Sequence, residues 1–282
     1  MESWKIGDVE ITRVVDVVLP LPATSLIPQA VPEALVDLHD WLCPHFLDAS
    51  GVMQLSIHSF AVRSGDARIV VDTCVGSGKA RAMLPDLHSS FLDDLRSIGF
   101  GPERVDRVLC THLHFDHVGW NTVRGKDGRW VPTFPNARYL VGEAEWGYWQ
   151  NAEDAYAPEA KHDSVVPIFD AGLVDLVRSD HVVTDEVRLI PTPGHTPGHV
   201  SVMIESRGEQ AIITGDLFHH PLQMAHPDWA DSADVDGERA RETRRRFLES
   251  WCDRPVLILG THFAAPTAGH IVRDGDAWRF EV

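Results

Sequence analysis

The run Cys110-Thr111-His112-Leu113-His114-Phe115-Asp116-His117 sets three imidazoles and a carboxylate within six residues, directly after the β-type stretch Arg107 to Thr111. Nitrogen and oxygen donors at this density suit zinc and its borderline neighbours. His112 and His114 are two apart, so a strand continuing through them would send both side chains to one face. Asp116 and His117 follow where the chain must leave the sheet, and they aim two more donors into the same space. Added to distant residues, the cluster holds more ligands than one closed tetrahedral site accepts, which predicts two metals. An isolated histidine is ordinarily a surface or satisfied core residue. A His-x-His-x-Asp-His run does not fit that account, because polar groups packed at a strand end need partners.

Three later positions repeat one device, an apolar strand that ends in a small residue and then a ligand-type residue. His195 stands in the Pro- and Gly-rich loop Thr192-Pro193-Gly194-His195-Thr196-Pro197-Gly198-His199, just after a strand. Asp216 closes Ile212-Ile213-Thr214-Gly215-Asp216, and His262 closes Leu257-Ile258-Leu259-Gly260-Thr261-His262. Each alone reads as a turn. Jointly they are the arrangement by which rigid strand ends hold ligands to tolerance.

In these pieces, and in their order, the chain resembles the metallo-β-lactamase superfamily, and Val70-Val71-Asp72-Thr73 is similar to that superfamily's earlier strand motif. The resemblance implies an α+β fold, an αββα sandwich of two mixed β-sheets flanked by helices, with a dinuclear site in the groove between the sheets. Carried over position by position, it implies His112, His114 and His195 on a first metal, Asp116, His117 and His262 on a second, and Asp216 bridging. Two divalent ions are implied, Zn2+ foremost, with Mn2+, Fe2+ or Co2+ as alternatives. Asp116, a ligand with a spare oxygen, is the candidate to relay a proton to a leaving alkoxide. Asp72 is the candidate to orient a ligand imidazole from behind, and His199 is assigned to the hydrogen bonding of its own loop.

The pattern most resembles the branch that holds acyl-homoserine lactonases, pyridoxolactonase and methyl parathion hydrolase. Several homoserine lactonases carry a tyrosine three positions after the bridging aspartate, where this chain has His219, followed by His220. Either histidine can replace the hydroxyl as a hydrogen-bond donor, His219 as a candidate catalytic residue and His220 as a candidate substrate contact, or else the substrate class differs from homoserine lactones. The expected activity is metal-dependent hydrolysis of carboxylic esters, lactones first, by water activated between two cations. Phosphotriester hydrolysis is the alternative, and an iron-dependent oxidoreductase of the same fold a more distant one. A non-catalytic module would be expected to lose ligands, and none is missing.

The elements that must position these residues read as follows. Residues 4–18 predict two short strands around Gly7-Asp8, and Val52–Val62 pairs with Arg68–Asp72 as a hairpin. A helix is predicted over 90–99, ending at Gly99, a strand over 137–141 and a helix over 142–149. Further strands are predicted at 173–178, 186–190, 199–205, 210–214 and 256–259, with a helix over 235–252 before the last. Residues 19–50 carry Pro20, Pro22, Pro28, Pro32 and Pro44 in an apolar stretch, too broken for a long helix and too apolar for a free linker. That segment is predicted to roof the groove, with Trp41 and Phe46 touching substrate. Trp120 and Phe218, close in sequence to the motif ends, are further candidate contacts.

The 282 residues read as one domain, 1–282, with 44% hydrophobic and 24% charged residues. An excess of 42 Asp+Glu over 25 Lys+Arg leaves −17, which argues against a nucleic-acid partner. The start, Met1-Glu2-Ser3-Trp4-Lys5, lacks the pattern of an export signal. No apolar stretch approaches membrane-spanning length, and four scattered cysteines fit reduced thiols. A cytoplasmic enzyme acting on a small apolar or aromatic ester or lactone is the expectation. The 19–50 segment is also the part that a homodimer contact would use.

Overall fold

The computed structural model describes residues 1–48, 50–82, 84 and 87–282. Fifteen strands are placed in chain order: β1 (Ser3–Ile6), β2 (Val9–Pro22), β3 (Val52–Ser64), β4 (Ala67–Val71), β5 (Arg107–Leu109), β6 (Thr122–Arg124), β7 (Trp130–Pro132), β8 (Arg138–Gly142), β9 (Val174–Val177), β10 (Val187–Pro191), β11 (Val200–Ser206), β12 (Glu209–Ile213), β13 (Val256–Leu259), β14 (Ala268–Asp274) and β15 (Ala277–Glu281). One sheet has the order β1-β2-β3-β4-β5-β8-β9, the other β10-β11-β12-β13-β14-β15, and β6-β7 is a separate small hairpin. Both large sheets are mixed. The β4-β5, β5-β8, β8-β9 and β12-β13 pairs are parallel and the others antiparallel.

Period-two alternation divides the core. Ile69, Val71, Leu109 and Leu140 point from the first sheet onto Val187, Leu189, Val202, Ile213 and Leu259 of the second. The residues between them, Val70, Val108 and Tyr139, face outward against Phe91 and Leu95 of the helix Phe91–Ser97 and Trp149 of the helix Glu143–Trp149. On the far side, Met203, Ile212, Val256 and Ile258 pack on Phe247 and Leu248 of the helix Gly237–Trp251. Strands covered on both faces are necessarily near-continuous apolar runs, which is why β4, β5, β12 and β13 are conspicuous in the sequence. The result is the expected αββα sandwich.

Two features differ from the sequence reading. Strand β2 continues to Pro22, past both early prolines, because β1 covers only Val9–Thr12 of it. Beyond that point β2 has β3 on one side alone, and proline is tolerated at an edge. Strands β14 and β15 were not expected. Arg273, Asp274 and Glu281 give them a polar outer face, and this masks the alternation of buried Ile271, Trp278 and Phe280.

Candidate metal centre

Strand β5 stops at Leu109, so His112 and His114 lie in a loop and not on a strand face. Their convergence comes from the loop's anchors. Asp72, at the end of β4 with φ +57, accepts from the Thr111 N–H at 2.8 Å and the Thr111 hydroxyl at 2.7 Å. A left-handed residue of this kind is held only where its surroundings require it. Buried Glu145 accepts from the Leu113 N–H at 3.0 Å, Trp149 Nε1 at 2.6 Å, the Thr196 hydroxyl at 2.8 Å and the Gly198 N–H at 3.0 Å. One carboxylate thus clamps the loop of His112–His117 to the loop of His195. The sequence reading missed Glu145, since a helical Glu carries no distinguishing local signal.

The structure brings all seven predicted donors together. His114 Nδ1 lies 3.1 Å from His112 Nε2 and 2.9 Å from His195 Nε2. Asp216 Oδ2 is 3.6 Å from His112 Nε2 and 3.5 Å from His195 Nε2. The same carboxylate reaches the second set, with Oδ2 3.2 Å from His117 Nε2 and Oδ1 3.1 Å from His262 Nε2. Asp116 Oδ2 completes that set, 3.8 Å from His117 Nε2 and 3.6 Å from His262 Nε2.

The chemistry of this donor set fits bound cations. Burial keeps His112 and His195 well below the ordinary histidine pKa, so their rings are neutral with lone pairs to offer. A single proton on His114 Nδ1 cannot satisfy both facing nitrogens, whereas a cation among them can. Asp216 Oδ1 is buried and makes no hydrogen bond among the described residues. At His117 burial disfavours charge, but Asp216, Asp116 and Asp72 outweigh it and hold the pKa well above the usual value. A positive charge belongs there, whether proton or metal ion.

Outer partners aim the rings, as metal-binding histidines ordinarily require. His117 Nδ1 meets Asp72 at 2.9 Å, His262 Nδ1 meets the Ser56 carbonyl at 3.0 Å, and His195 Nδ1 meets Asp234 at 3.2 Å. Asp234 is in turn held by buried Arg244 at 2.6 Å. His199 Nε2 accepts the Asp216 backbone N–H at 2.8 Å, so its Nδ1 carries the proton and donates to the Thr192 carbonyl at 3.0 Å. That close approach requires Gly215, at φ +56, where an added Cβ would stand 2.6 Å from His199 Nε2. His219 joins the cluster too, with Nε2 3.0 Å from Asp216 and Nδ1 2.9 Å from Asp231. Burial opposes charge on His219, but the two carboxylates prevail and raise its pKa well above the ordinary value. Asp231 and Asp234 escaped the sequence reading, and Arg244, which the run Arg244-Arg245-Arg246 in a mixed-charge helix assigns to a solvated face, is instead fully buried against Asp234 and the Leu217 carbonyl.

A cavity of about 110 Å³ opens over His114, Asp116, Asp216, His219 and His262. Its walls are largely apolar, from Leu19 and Leu21 of β2, Leu26, Leu55 and Ile57, with the aromatic rings of Phe115 and Tyr156 beside them. The aromatic contacts expected from the sequence lie elsewhere. Phe46 is fully buried in the core behind the second sheet, 6.1 Å from Phe263 and 5.9 Å from Phe280 between ring centres, and half-buried Trp41 packs on the same cluster. Trp120 stacks on Phe91 at 5.8 Å and donates to Asp16 at 3.1 Å. Phe218 packs on Phe247. His220, its pKa lowered to about 4 by burial, donates from Nε2 to the Phe46 carbonyl. These side chains are large apolar volumes or neutral rings that the core absorbs. Accordingly Phe46→Ala is expected to destabilise the protein by about 3–5 kcal/mol in denaturant unfolding, with KM little changed; a raised KM at unaltered stability would return Phe46 to the cavity.

Comparison with known proteins agrees with this geometry. The chain belongs to the metallo-β-lactamase superfamily, whose family model matches residues 52–262. An N-acyl homoserine lactonase from Bacillus sp is 33% identical over 168 residues, 59% of either chain. The N-acyl homoserine lactonase AttM of Rhizobium radiobacter is 27% identical over 207 residues, covering 68% of this chain and 67% of AttM. The chain thus spans 59% of the length of that Bacillus relative in the matched region. Among solved structures, AidC, a dizinc quorum-quenching lactonase in complex with a product, superposes with TM-score 0.81 at 22% identity over 99% of this chain and 96% of that one. The hydrolase AbOPH does so with TM-score 0.80 at 27% identity, over 99% and 96%. No helix among the described residues is long and apolar enough to cross a membrane.

Proposed function

We propose that this chain is a dinuclear-metal hydrolase of carboxylic esters whose preferred substrates are lactones. The observation that carries this reading is the meeting of two donor sets, shared through Asp216, beneath a largely apolar cavity. Zinc fits the nitrogen-rich donor sets best. His112, His114 and His195 would hold one ion, Asp116, His117 and His262 the other, with Asp216 between. Bound there, a cation pair supplies a water-derived nucleophile near neutral pH and polarises a carbonyl oxygen.

The chain's own residues do the rest. The leucine and isoleucine walls accept an uncharged acyl group and keep bulk water from the floor. Hydrolysis adds a water oxygen to the acyl carbon and breaks the ring C–O bond, and the departing alkoxide takes up the proton the water lost. Asp116, on the cavity floor, is placed to carry that proton. His219, on the same floor with Nε2 3.0 Å from Asp216 Oδ2, would share that N–H with the carbonyl oxygen as a hydrogen-bond donor. The similarity to N-acyl homoserine lactonases supports the choice of a lactone. The same apolar walls suit an aryl phosphotriester, which is the second reading.

Rates on lactones, aryl esters, phosphotriesters, thioesters and β-lactams, measured on protein of known metal content, test the reading. About two zinc-like ions per chain and the highest kcat/KM on a lactone are expected. Phosphotriester preference would replace lactones by the second reading. A single iron with oxygen uptake would move the chain to the oxidoreductases, and absence of bound metal would remove the catalytic reading altogether.

A further inference from the structure

We propose that Asp231 is a positioning residue that holds the His219 ring with Nε2 turned to the cavity. This rests on the hydrolase reading above for its kinetic consequence, though not for its geometry. The His219 ring is fixed on its faces by the site itself, parallel to His262 at 5.3 Å and edge-on to His195 at 4.9 Å. What remains free is the half-turn about Cβ–Cγ, which keeps the ring plane but exchanges Nδ1 with Cδ2 and Nε2 with Cε1, and so decides whether nitrogen or carbon faces Asp231 and the cavity. Asp231 Oδ2, 2.9 Å from Nδ1, removes that freedom. The contact lies off the N–H direction, yet neither atom has a hydrogen-bond partner among the described residues, so each is left to the other.

Asp231 is itself held from several sides. Its Oδ1 accepts the Ala233 N–H at 2.9 Å, and its own N–H donates to Asp234 Oδ2 at 3.3 Å. Asp234 carries the parallel duty for His195 and is anchored by Arg244. Between them, the Ser232 N–H donates to the Leu26 carbonyl of the roof at 2.8 Å, and Ala233 lines the cavity. A single short loop therefore aims two site histidines and ties them to the wall that encloses substrate. With Nδ1–H committed to a carboxylate, the ring is oriented and more basic, and Nε2, 3.0 Å from Asp216 Oδ2, is the nitrogen held on the cavity side.

Asp231→Asn, assayed as the zinc-loaded full chain on a lactone, is expected to lower kcat by about 10- to 100-fold with KM and zinc content near wild type. In a His219→Ala background the same change is expected to add no further loss, because residues acting through one another are not additive. An unchanged kcat, an additive loss, or departure of one zinc ion from Asp231→Asn would each overturn the proposal. Nitrogen-15 spectra of the histidines in the zinc-loaded wild type give a second reading that needs neither a folded variant nor turnover. A protonated Nδ1 at His219 is expected, and a bare Nδ1 would overturn the assignment. If wild type opens no lactone while Nδ1 is protonated, the hydrolase reading fails and the positioning stands.

Discussion

Asp216→Ala is expected to abolish hydrolysis, lowering kcat/KM by on the order of 10³-fold or more while the fold remains. Among the described residues Asp216 is the side chain whose oxygens face both donor sets, within 3.6 Å of His112, His195, His117 and His262. Its removal takes the shared negative charge from between the two cation sites and leaves five imidazoles and Asp116 to hold the ions. Cation-based stabilisation of a reaction is worth several kcal/mol, and each 1.36 kcal/mol is tenfold in rate, which sets the expected loss. The fold should survive because the Asp216 backbone N–H still meets His199 and the neighbouring core residues are untouched. Steady-state kinetics on a lactone together with metal analysis of the same preparation would check this. Wild-type turnover from an Asp216→Ala protein with verified metal would refute the assignment of the site.

Glu145→Ala is the second change with a large expected effect, although Glu145 touches neither metal nor substrate. It would strand four donors at once: the Leu113 and Gly198 N–H groups, the Thr196 hydroxyl and Trp149 Nε1. Each buried donor left unpaired costs about 1–3 kcal/mol, so a total of about 3–5 kcal/mol of stability is expected after partial relaxation. Three of the stranded groups belong to the loops that carry His114 and His195, so metal affinity should fall with stability. Glu145→Gln should not rescue it, because the amide nitrogen would face donors where an acceptor is required. Thermal unfolding with and without added zinc reads both effects. Unfolding midpoints equal to wild type in both conditions would show that the clamp is dispensable.

How much of this was open to sequence reasoning depends on how local each signal is. The metal donors are legible because three imidazoles and a carboxylate are crowded into six residues, and because the apolar runs Ala211–Ile213 and Val256–Leu259 lead through a glycine to Asp216 and His262. Trp41, Phe46, Trp120 and Phe218 were misplaced for the opposite reason. An aromatic residue has the same local pattern whether it fills a core or lines a cavity, and only the packing of Phe46 on Phe263 and Phe280, two hundred residues away in the chain, decides. His220 likewise became a core hydrogen-bonding residue through a carbonyl far from it in sequence.

The amino-acid order alone determined the donor atoms, their number and the strand ends that carry them, because residue type and hydrophobic period are properties of neighbours along the chain. Tertiary structure alone decided that Asp231 and Asp234 stand behind the rings, that a single Glu clamps two loops, and that leucine and isoleucine with Phe115 and Tyr156, not Trp41 or Phe46, enclose the floor. Those are pairings between segments up to about two hundred positions apart, and no local pattern records a partner that only folding brings within hydrogen-bond reach.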